Sequence, residues 1–269
     1  LPNLRIATWN INSIRLRLPL LKKLVEEFQP DIIALQETKC PDEAMPVNEL
    51  NALGYPYLHF NGMKGYNGVI LLSKLPLIAP NIHNRVNKQD SRHIEASFVM
   101  PDKKITLHNL YIPAGGDVPD ENENEKFAHK LDFVREMTDF IPQRHKKDEH
   151  LIVLGDFNIA PYEHDVWSSK QLRDVVSHTP VERELLNTML ASHDWVDVAR
   201  LLVPETDKLY SWWSYRNQDW RKSDRGRRLD HIWVTPGLKD LVKDFRIAKD
   251  ARDWPQPSDH VPVIVDLKL

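Results

Sequence analysis

Cysteine is almost missing: Cys40 is the only one in 269 residues, which excludes an internal disulfide and fits a reducing compartment. A lone thiol could serve as a nucleophile, but nothing around Cys40 supports that chemistry. No apolar run is long enough to span a membrane, and the chain enters a strand-like segment directly, with no leader sequence. The expectation is a soluble cytoplasmic protein. Charge of one sign is also lacking: the net charge of −3 gives no global basic field to advertise a nucleic-acid partner. There is no Cys/His pattern with zinc spacing, no glycine-rich phosphate loop and no G-x-S-x-G elbow. Apolar residues, by contrast, make up 41% and aromatics 9%, enough for a sizeable core and against disorder.

The charge balance is uneven along the chain. From Arg216 to Arg228 six bases stand against Asp219 and Asp224, interleaved with Trp220 and following Trp212, Trp213 and Tyr215. Such a run is usually a solvated loop, but aromatic interleaving favours a surface for phosphates and bases. Residues 117–125 carry five acids and no base.

Leu4–Asn10 alternates as a strand, and Leu18, Leu21, Leu24, Val25 and Phe28 mark one face of a helix stopped at Pro30. Ile32–Leu35 reads as the next strand, completing a βαβ pattern. Strands are also expected at 55–60, 69–73, 94–100 and 105–112. Phe127, Leu131, Val134, Thr138 and Ile141 predict a second amphipathic helix. Leu151–Leu154 is a buried strand, followed by weaker helical stretches around 185–190 and 196–202. The last strands are expected at 210–215, 229–235, 244–248 and 261–267. With no linker or repeat, residues 1–269 read as one domain, an α/β or α+β sandwich of many strands and few helices.

Several strands end in polar residues that the fold does not need. Asn10 and Asn12 close the first, Glu37 the second, Tyr111 another, and Asp156 and Asn158 the 151 strand. Asp230 opens the 229 strand, and Ser258-Asp259-His260 precedes the last. Alternation along an extended chain would put Asp156 and Asn158 on one side, although Gly, Asp and Asn after a strand also suit a simple turn. Asp230 equally suits a salt bridge within the run RGRRLD. Taken together, the set points to a site at strand ends, where ligands gather over a rigid platform. Glu37, with Asn10 and Asp259, offers hard oxygen donors for a sparse Mg²⁺ site of the kind that acts on phosphates. Asp156 could deprotonate a water, with Asn158 beside it, while His260, oriented by Asp230, contributes charge or a proton.

The motifs TWNIN (8–12), LQETK (35–39), NLYIP (109–113), GDFNIAP (155–161), RLDHIW (228–233) and SDHVP (258–262) occur in one order. They resemble those of the exonuclease III class of AP endonucleases, within the endonuclease/exonuclease/phosphatase superfamily, and the resemblance runs from about residue 4 to the end. It implies a four-layer α/β sandwich, with two mixed sheets face to face and helices outside. It implies cleavage 5′ to abasic sites in double-stranded DNA, dependent on Mg²⁺ with Mn²⁺ as a substitute. Exonuclease and 3′-phosphatase or phosphodiesterase activities accompany this, so blocked 3′ ends are a second substrate of what should be a monomer. Glu37 and Asn10 match metal-site positions, with Asn12 beside them and Asp259 at a metal or supporting position. Asp156 matches the water-activating residue, Asn158 its neighbour, His260 the histidine at the phosphate, Asp230 its partner, and Tyr111 a phosphate- or nucleophile-facing tyrosine. Secreted DNase I-like enzymes carry a histidine in the Tyr111 motif and have disulfides, so Tyr111 and the single cysteine favour the repair branch.

The resemblance also marks 210–216 and 226–230 as the wall of an abasic-sugar pocket, with Trp212 and Leu229 at pocket positions. A sugar without a base is small and cheap to flip out of the duplex. Arg227 stands where some relatives carry a large apolar residue, which leaves open the balance between abasic incision and 3′-end processing. Trp213 reads more readily as core than as pocket. Lys64 and Arg92, near other strand ends, are further candidates for phosphate contacts. The competing readings are a superfamily phosphodiesterase for RNA, phospholipid or inositol phosphates, and a binding protein with a dead site.

Overall fold

The computed structural model describes residues 3–269. Twelve strands are β1 (Asn3–Asn10), β2 (Ile32–Gln36), β3 (Tyr57–Asn61), β4 (Val69–Ser73), β5 (Ile78–Arg85), β6 (Lys88–Val99), β7 (Lys104–Tyr111), β8 (His150–Asp156), β9 (Val196–Asp197), β10 (Asp230–Val234), β11 (Val242–Ile247) and β12 (Val263–Lys268). The helices used below are α1 (Leu18–Phe28), α2 (Val47–Ala52), α3 (Glu125–Arg144), α4 (Ser169–Leu172) and α5 (Pro180–Ser192). The strands form two six-stranded sheets, ordered β11-β12-β1-β2-β4-β3 and β5-β6-β7-β8-β10-β9. Each is mixed: β1 pairs in parallel with β2 and β7 with β8, while the other pairings are antiparallel.

Strand alternation builds the layers. Leu4, Ile6, Ile32, Ala34, Val263 and Val265 face Ile94, Ala96, Leu107, Ile152, Leu154 and Ile232 of the other sheet in one core. The residues between them point outward: Ala7, Trp9, Ile33 and Leu35 pack on Leu20, Leu21 and Leu24 of α1. Leu151 and Val153 pack on Phe133, Val134 and Met137 of α3 and Leu186 of α5. The result is a four-layer sandwich with the central strands covered on both faces, which is why they read as continuous apolar runs. Each such side chain stabilises the fold by roughly 1.5–3 kcal/mol, against about 0–1 for a surface ion pair, so the layers rest on the core. Among the described residues, no helix is long and apolar enough to cross a membrane.

Three expectations change. Residues 210–215 are not a strand: only Trp212 forms bridges there, to Arg227 and His260, and Ser211 Oγ takes the Leu229 and Asp230 N–H groups instead. β5 was not evident in the sequence because it is an edge strand, mostly exposed and interrupted by Pro80. The weak helical stretch at 185–190 is the middle of α5, which starts earlier through a capping box of Thr179 and Glu182.

Arg228 anchors the loop before β10. Wholly buried, it forms bidentate pairs with Asp165 and Asp197 at 2.9–3.0 Å. Burial pushes the Asp165 carboxyl up, but Arg228 outweighs it and holds the group below its ordinary range. This stabilising contribution is full above the ordinary carboxylate pKa and is lost as pH falls through the lowered value. Arg228→Met leaves buried Asp197 with no basic partner and Asp165 with Arg200 alone, and is expected to cost about 3–5 kcal/mol in urea unfolding near neutral pH. A loss below about 1 kcal/mol would mean that the apolar packing holds this loop unaided.

Candidate active site

The carboxyl ends of β1, β2, β7 and β8 meet at one edge of the sandwich, where antiparallel β10 begins. Register sets Asn10 beside Gln36, and places Tyr111 and Asp230 on either side of Asp156. Gly155 makes that approach possible. It adopts φ +137°, and a Cβ there would collide with the backbone of Leu110.

Asn10 Nδ2 donates to Glu37 Oε1 at 3.1 Å and to Asp156 Oδ2 at 2.9 Å, joining carboxylates from the two sheets. Tyr111 donates its hydroxyl to the same Glu37 oxygen at 2.5 Å. Glu37 Oε2 lies 3.5 Å from the ammonium of Lys39, which also donates to Asn12 Oδ1 at 2.6 Å. Asp156 is completely buried. His260 stands between two carboxylates, with Nδ1 2.8 Å from Asp230 Oδ2 and Nε2 3.5 Å from Asp156 Oδ2. Asp230 takes no arginine; its partners are His260 and the hydroxyl of Ser211, at 2.7 Å.

Burial, reinforced by Asp230 and Glu37, lifts the Asp156 carboxyl to about 7 against the pull of His260 and the Asn10 hydrogen bond. Burial disfavours a charged His260, yet Asp230 and Asp156 outweigh it and raise the ring well above its ordinary value. Burial raises Tyr111 as well, and the Glu37 and Asp156 carboxylates add to the shift, so its hydroxyl stays protonated. The site thus holds a buried carboxyl of raised pKa behind a cationic imidazole and a neutral phenol that border one open space.

That space is a cavity of about 670 Å³, bordered by Glu37, Tyr111, Asn158, Asp259 and His260 and also by Val176, Trp212, Arg227 and Leu229. Asn158 reaches it differently from the extended path expected. β8 stops at Asp156, and Asn158 adopts φ +53°. Its N–H donates to Asp156 Oδ1 and its Nδ2 to Ile112 O, so turn and site coincide. Trp212 donates Nε1 to Asp259 Oδ2 at 3.0 Å and packs against Leu229, whereas Trp213 is core and bonds Asp224. Arg227 lies over the Trp212 ring at 5.1 Å, with Nη1 on Ser177 Oγ and Val176 O.

Other candidates lie elsewhere. Arg92 is not on the cavity wall: its Nε bonds Asp90 at 2.6 Å and its guanidinium stacks 4.9 Å from the Tyr111 ring, so it braces that ring. Lys64 is on an exposed turn outside the cavity. Asn12 sits behind Lys39 and bonds Tyr215 rather than lining the cavity. The basic run divides into buried Arg228, Arg221 paired with Asp250 and Asp253, exposed Lys222, and cavity-lining Arg216, Arg225 and Arg227. Cys40 is buried, and burial raises its thiol, which removes it as a nucleophile.

Sequence reasoning missed Ser211, Lys39 and Lys130. Lys130 pairs with Glu182 in full burial and donates to Asn158 O at 2.7 Å, fixing that turn from α3. Its signal was available, since a lysine at 130 falls on the apolar stripe of 127, 131 and 134.

A sequence profile of the Endonuclease/Exonuclease/phosphatase family matches residues 7–260. Exodeoxyribonuclease III of Haemophilus influenzae is 32% identical over 276 residues, covering 98% of this chain and 100% of that protein. The structure of an AP endonuclease from Archaeoglobus fulgidus superposes with TM-score 0.90 at 28% identity, covering 99% of this chain and 100% of the other. The 3′ phosphatase NExo from Neisseria, bound to a product DNA hairpin, gives TM-score 0.88 at 28% identity, covering 99% and 100%.

Asp230 is the nearer carboxylate at the His260 ring. In metal-free protein, Asp230→Asn should lower the His260 imidazole midpoint, followed by NMR, by at least about one pH unit. An unmoved midpoint would show that Asp230 does not hold the charge.

Proposed function

The chain belongs to the Endonuclease/Exonuclease/phosphatase family, and on that basis we propose that it is a Mg²⁺-dependent DNA repair nuclease of base excision repair. It is an enzyme of the exodeoxyribonuclease III and AP endonuclease kind. In this reading one domain, working as a monomer, cuts the phosphodiester 5′ to an abasic site in duplex DNA and trims blocked 3′ ends. The observation that carries it is the buried Asp156 carboxylate, set between Asn10 and His260 and directly behind His260 and Asn158, which line a cavity with an aromatic wall.

The donor set suits Mg²⁺. Glu37 is partly exposed toward the cavity, Asn10 Oδ1 accepts only the Asn12 N–H and keeps a lone pair, and Asp259 adds a carboxylate. When bound there, the ion neutralises charge on the reacting phosphate oxygens. The triple of Asp156, Asp230 and His260 is a poorer metal site, because His260 Nδ1 is already engaged by Asp230. Asp156, with its raised pKa, takes the proton of a water held by Asn158. The water oxygen bonds phosphorus as the P–O3′ bond breaks, leaving a 5′-phosphate and an O3′ that takes a proton from bulk water to become the 3′-hydroxyl. Protonated His260 offsets charge on a non-bridging oxygen, and Tyr111 holds Glu37 and faces the same phosphate. Leu229 and Trp212 receive the extrahelical sugar, and Arg216 and Arg225 meet the backbone.

Arg227 favours a second emphasis. Its guanidinium, pinned to the loop before α5, narrows the sugar pocket and places a cation in it, which suits a terminal 3′-phosphate.

Two labelled duplexes, one with an internal abasic analogue and one with a 3′-phosphate at a nick, test the reading. Both should be processed with Mg²⁺ and neither with EDTA, and Asp156→Ala should lose at least about 10²-fold. An Asp156→Ala enzyme of full activity would remove the base assignment. No reaction on either duplex would leave the family with another substrate. Arg227→Leu is expected to raise the ratio of abasic incision to 3′-phosphate removal severalfold; an unchanged ratio would make Arg227 a bystander.

A further inference from the structure

On the outer face of the second sheet, imidazoles gather that the chemistry above does not use. Register puts His83 opposite His93, and Glu95 opposite His108. Leu107 and Asn109 point inward to the other sheet, so His108 between them points outward, toward the end of α3. There His145 caps the helix. His108 Nε2 and His145 Nε2 face each other at 2.9 Å, and Glu95 Oε2 lies 3.9 Å from His145 Nε2. One donor atom each from Glu95, His108 and His145 lies within 4.8 Å of the others, and His83, His93 and His108 form an overlapping triple.

Both facing nitrogens are oriented from behind. His145 Nδ1 bonds Glu149 at 2.7 Å, and His108 Nδ1 bonds His93 Nε2 at 2.9 Å. A carboxylate or other acceptor on the far nitrogen is the usual support of a metal-bound histidine. A second observation is independent of this: His93 is wholly buried, and its Nδ1 has no hydrogen-bond partner. A cavity of about 670 Å³, bordered by Glu95, His145 and Glu149, opens over the group and gives an entry path.

We propose that Glu95, His108 and His145 bind a divalent transition ion of the zinc type, at a site separate from the catalytic centre and with an open position facing this cavity. Two imidazoles and one carboxylate suit zinc, whereas Mg²⁺ prefers an all-oxygen set. Metal–nitrogen bonds of about 2.0–2.1 Å in a tetrahedral site need the two nitrogens about 3.4 Å apart, so the pair opens by roughly half an ångström. His145, just past the last turn of α3, can supply that movement. Arg144 on Glu95 Oε1 at 2.9 Å opposes the charge of the ion, as does neighbouring Arg85; Glu95 and Glu149 offset them. No sequence spacing announces the site, because its ligands come from two strands and a helix end.

Chelator-stripped protein should bind one more Zn²⁺ per chain than His145→Gln does, measured by equilibrium dialysis and calorimetry. Co²⁺ should give the visible bands of a four-coordinate ion with nitrogen ligands, and those bands should weaken in the variant. Glu95→Gln should weaken Zn²⁺ at least about tenfold while leaving Mg²⁺-dependent DNA cleavage intact, and it stands in if His145→Gln does not fold. Glu37→Gln, at the other centre, should retain the extra Zn²⁺. Equal stoichiometry and affinity in wild type and both cluster variants would overturn the proposal and leave a hydrogen-bonded clamp for α3. So would loss of all Zn²⁺ binding in Glu37→Gln.

Discussion

One amide nitrogen ties the two sheets together where the chemistry lies. Asn10 Nδ2 donates to Glu37 beside its own strand and to Asp156 across the sandwich. Both acceptors are carboxylates, so without a shared donor they would repel each other across a poorly solvated gap. The geometry of Glu37, Tyr111, Asp156 and His260 depends on this bridge, since each of these is hydrogen-bonded to, or in ion-pair range of, another member of the set. A few positions away, Gln36 donates to Asn109 across the same interface, so the join is polar at its edge and apolar within.

The layers exist to hold that edge still. Side chains that alternate along β1, β2, β7 and β8 are largely buried on both faces, and the polar groups at their ends converge at one edge. Helix α3 adds a brace from outside through the pairing of Lys130 with Glu182 and its bond to the Asn158 carbonyl. Burial lowers the pKa of Lys130 while Glu182 opposes the shift; such a pair is costly to desolvate and is tolerated here because it fixes a turn.

Much of this was legible in the sequence, for physical reasons. Strands with both faces buried are written as unbroken apolar runs, and the polar residues that end them stand out against that background. Trp213 was recognisable as core, while Trp212 lines the cavity. Conformations set by local hydrogen bonds were not legible. At Asn158 the sequence left extended chain and turn equally open, and the structure has a left-handed turn; residues 210–215 looked like a strand because aromatic content imitates one. Arg228 and Arg227 adjoin in sequence, yet one is a buried strut and the other a cavity wall. Arg92 looked like a phosphate contact and is held by Asp90. The outer-face imidazoles could not be found, because register across β5, β6 and β7 assembles them.

The pairing of β1 with β12 has a consequence in time as well as in space. Arg5 and Asp266, joined across these strands, stand 261 positions apart, and His260 lies just before β12. During synthesis the first strand leaves the ribosome long before its antiparallel neighbour exists. Until then one side of β1 offers unpaired backbone groups, an open template for mispairing. Glu37, Tyr111 and Asp156 are all made before His260, so the polar cluster at the strand ends is completed only as the first sheet closes.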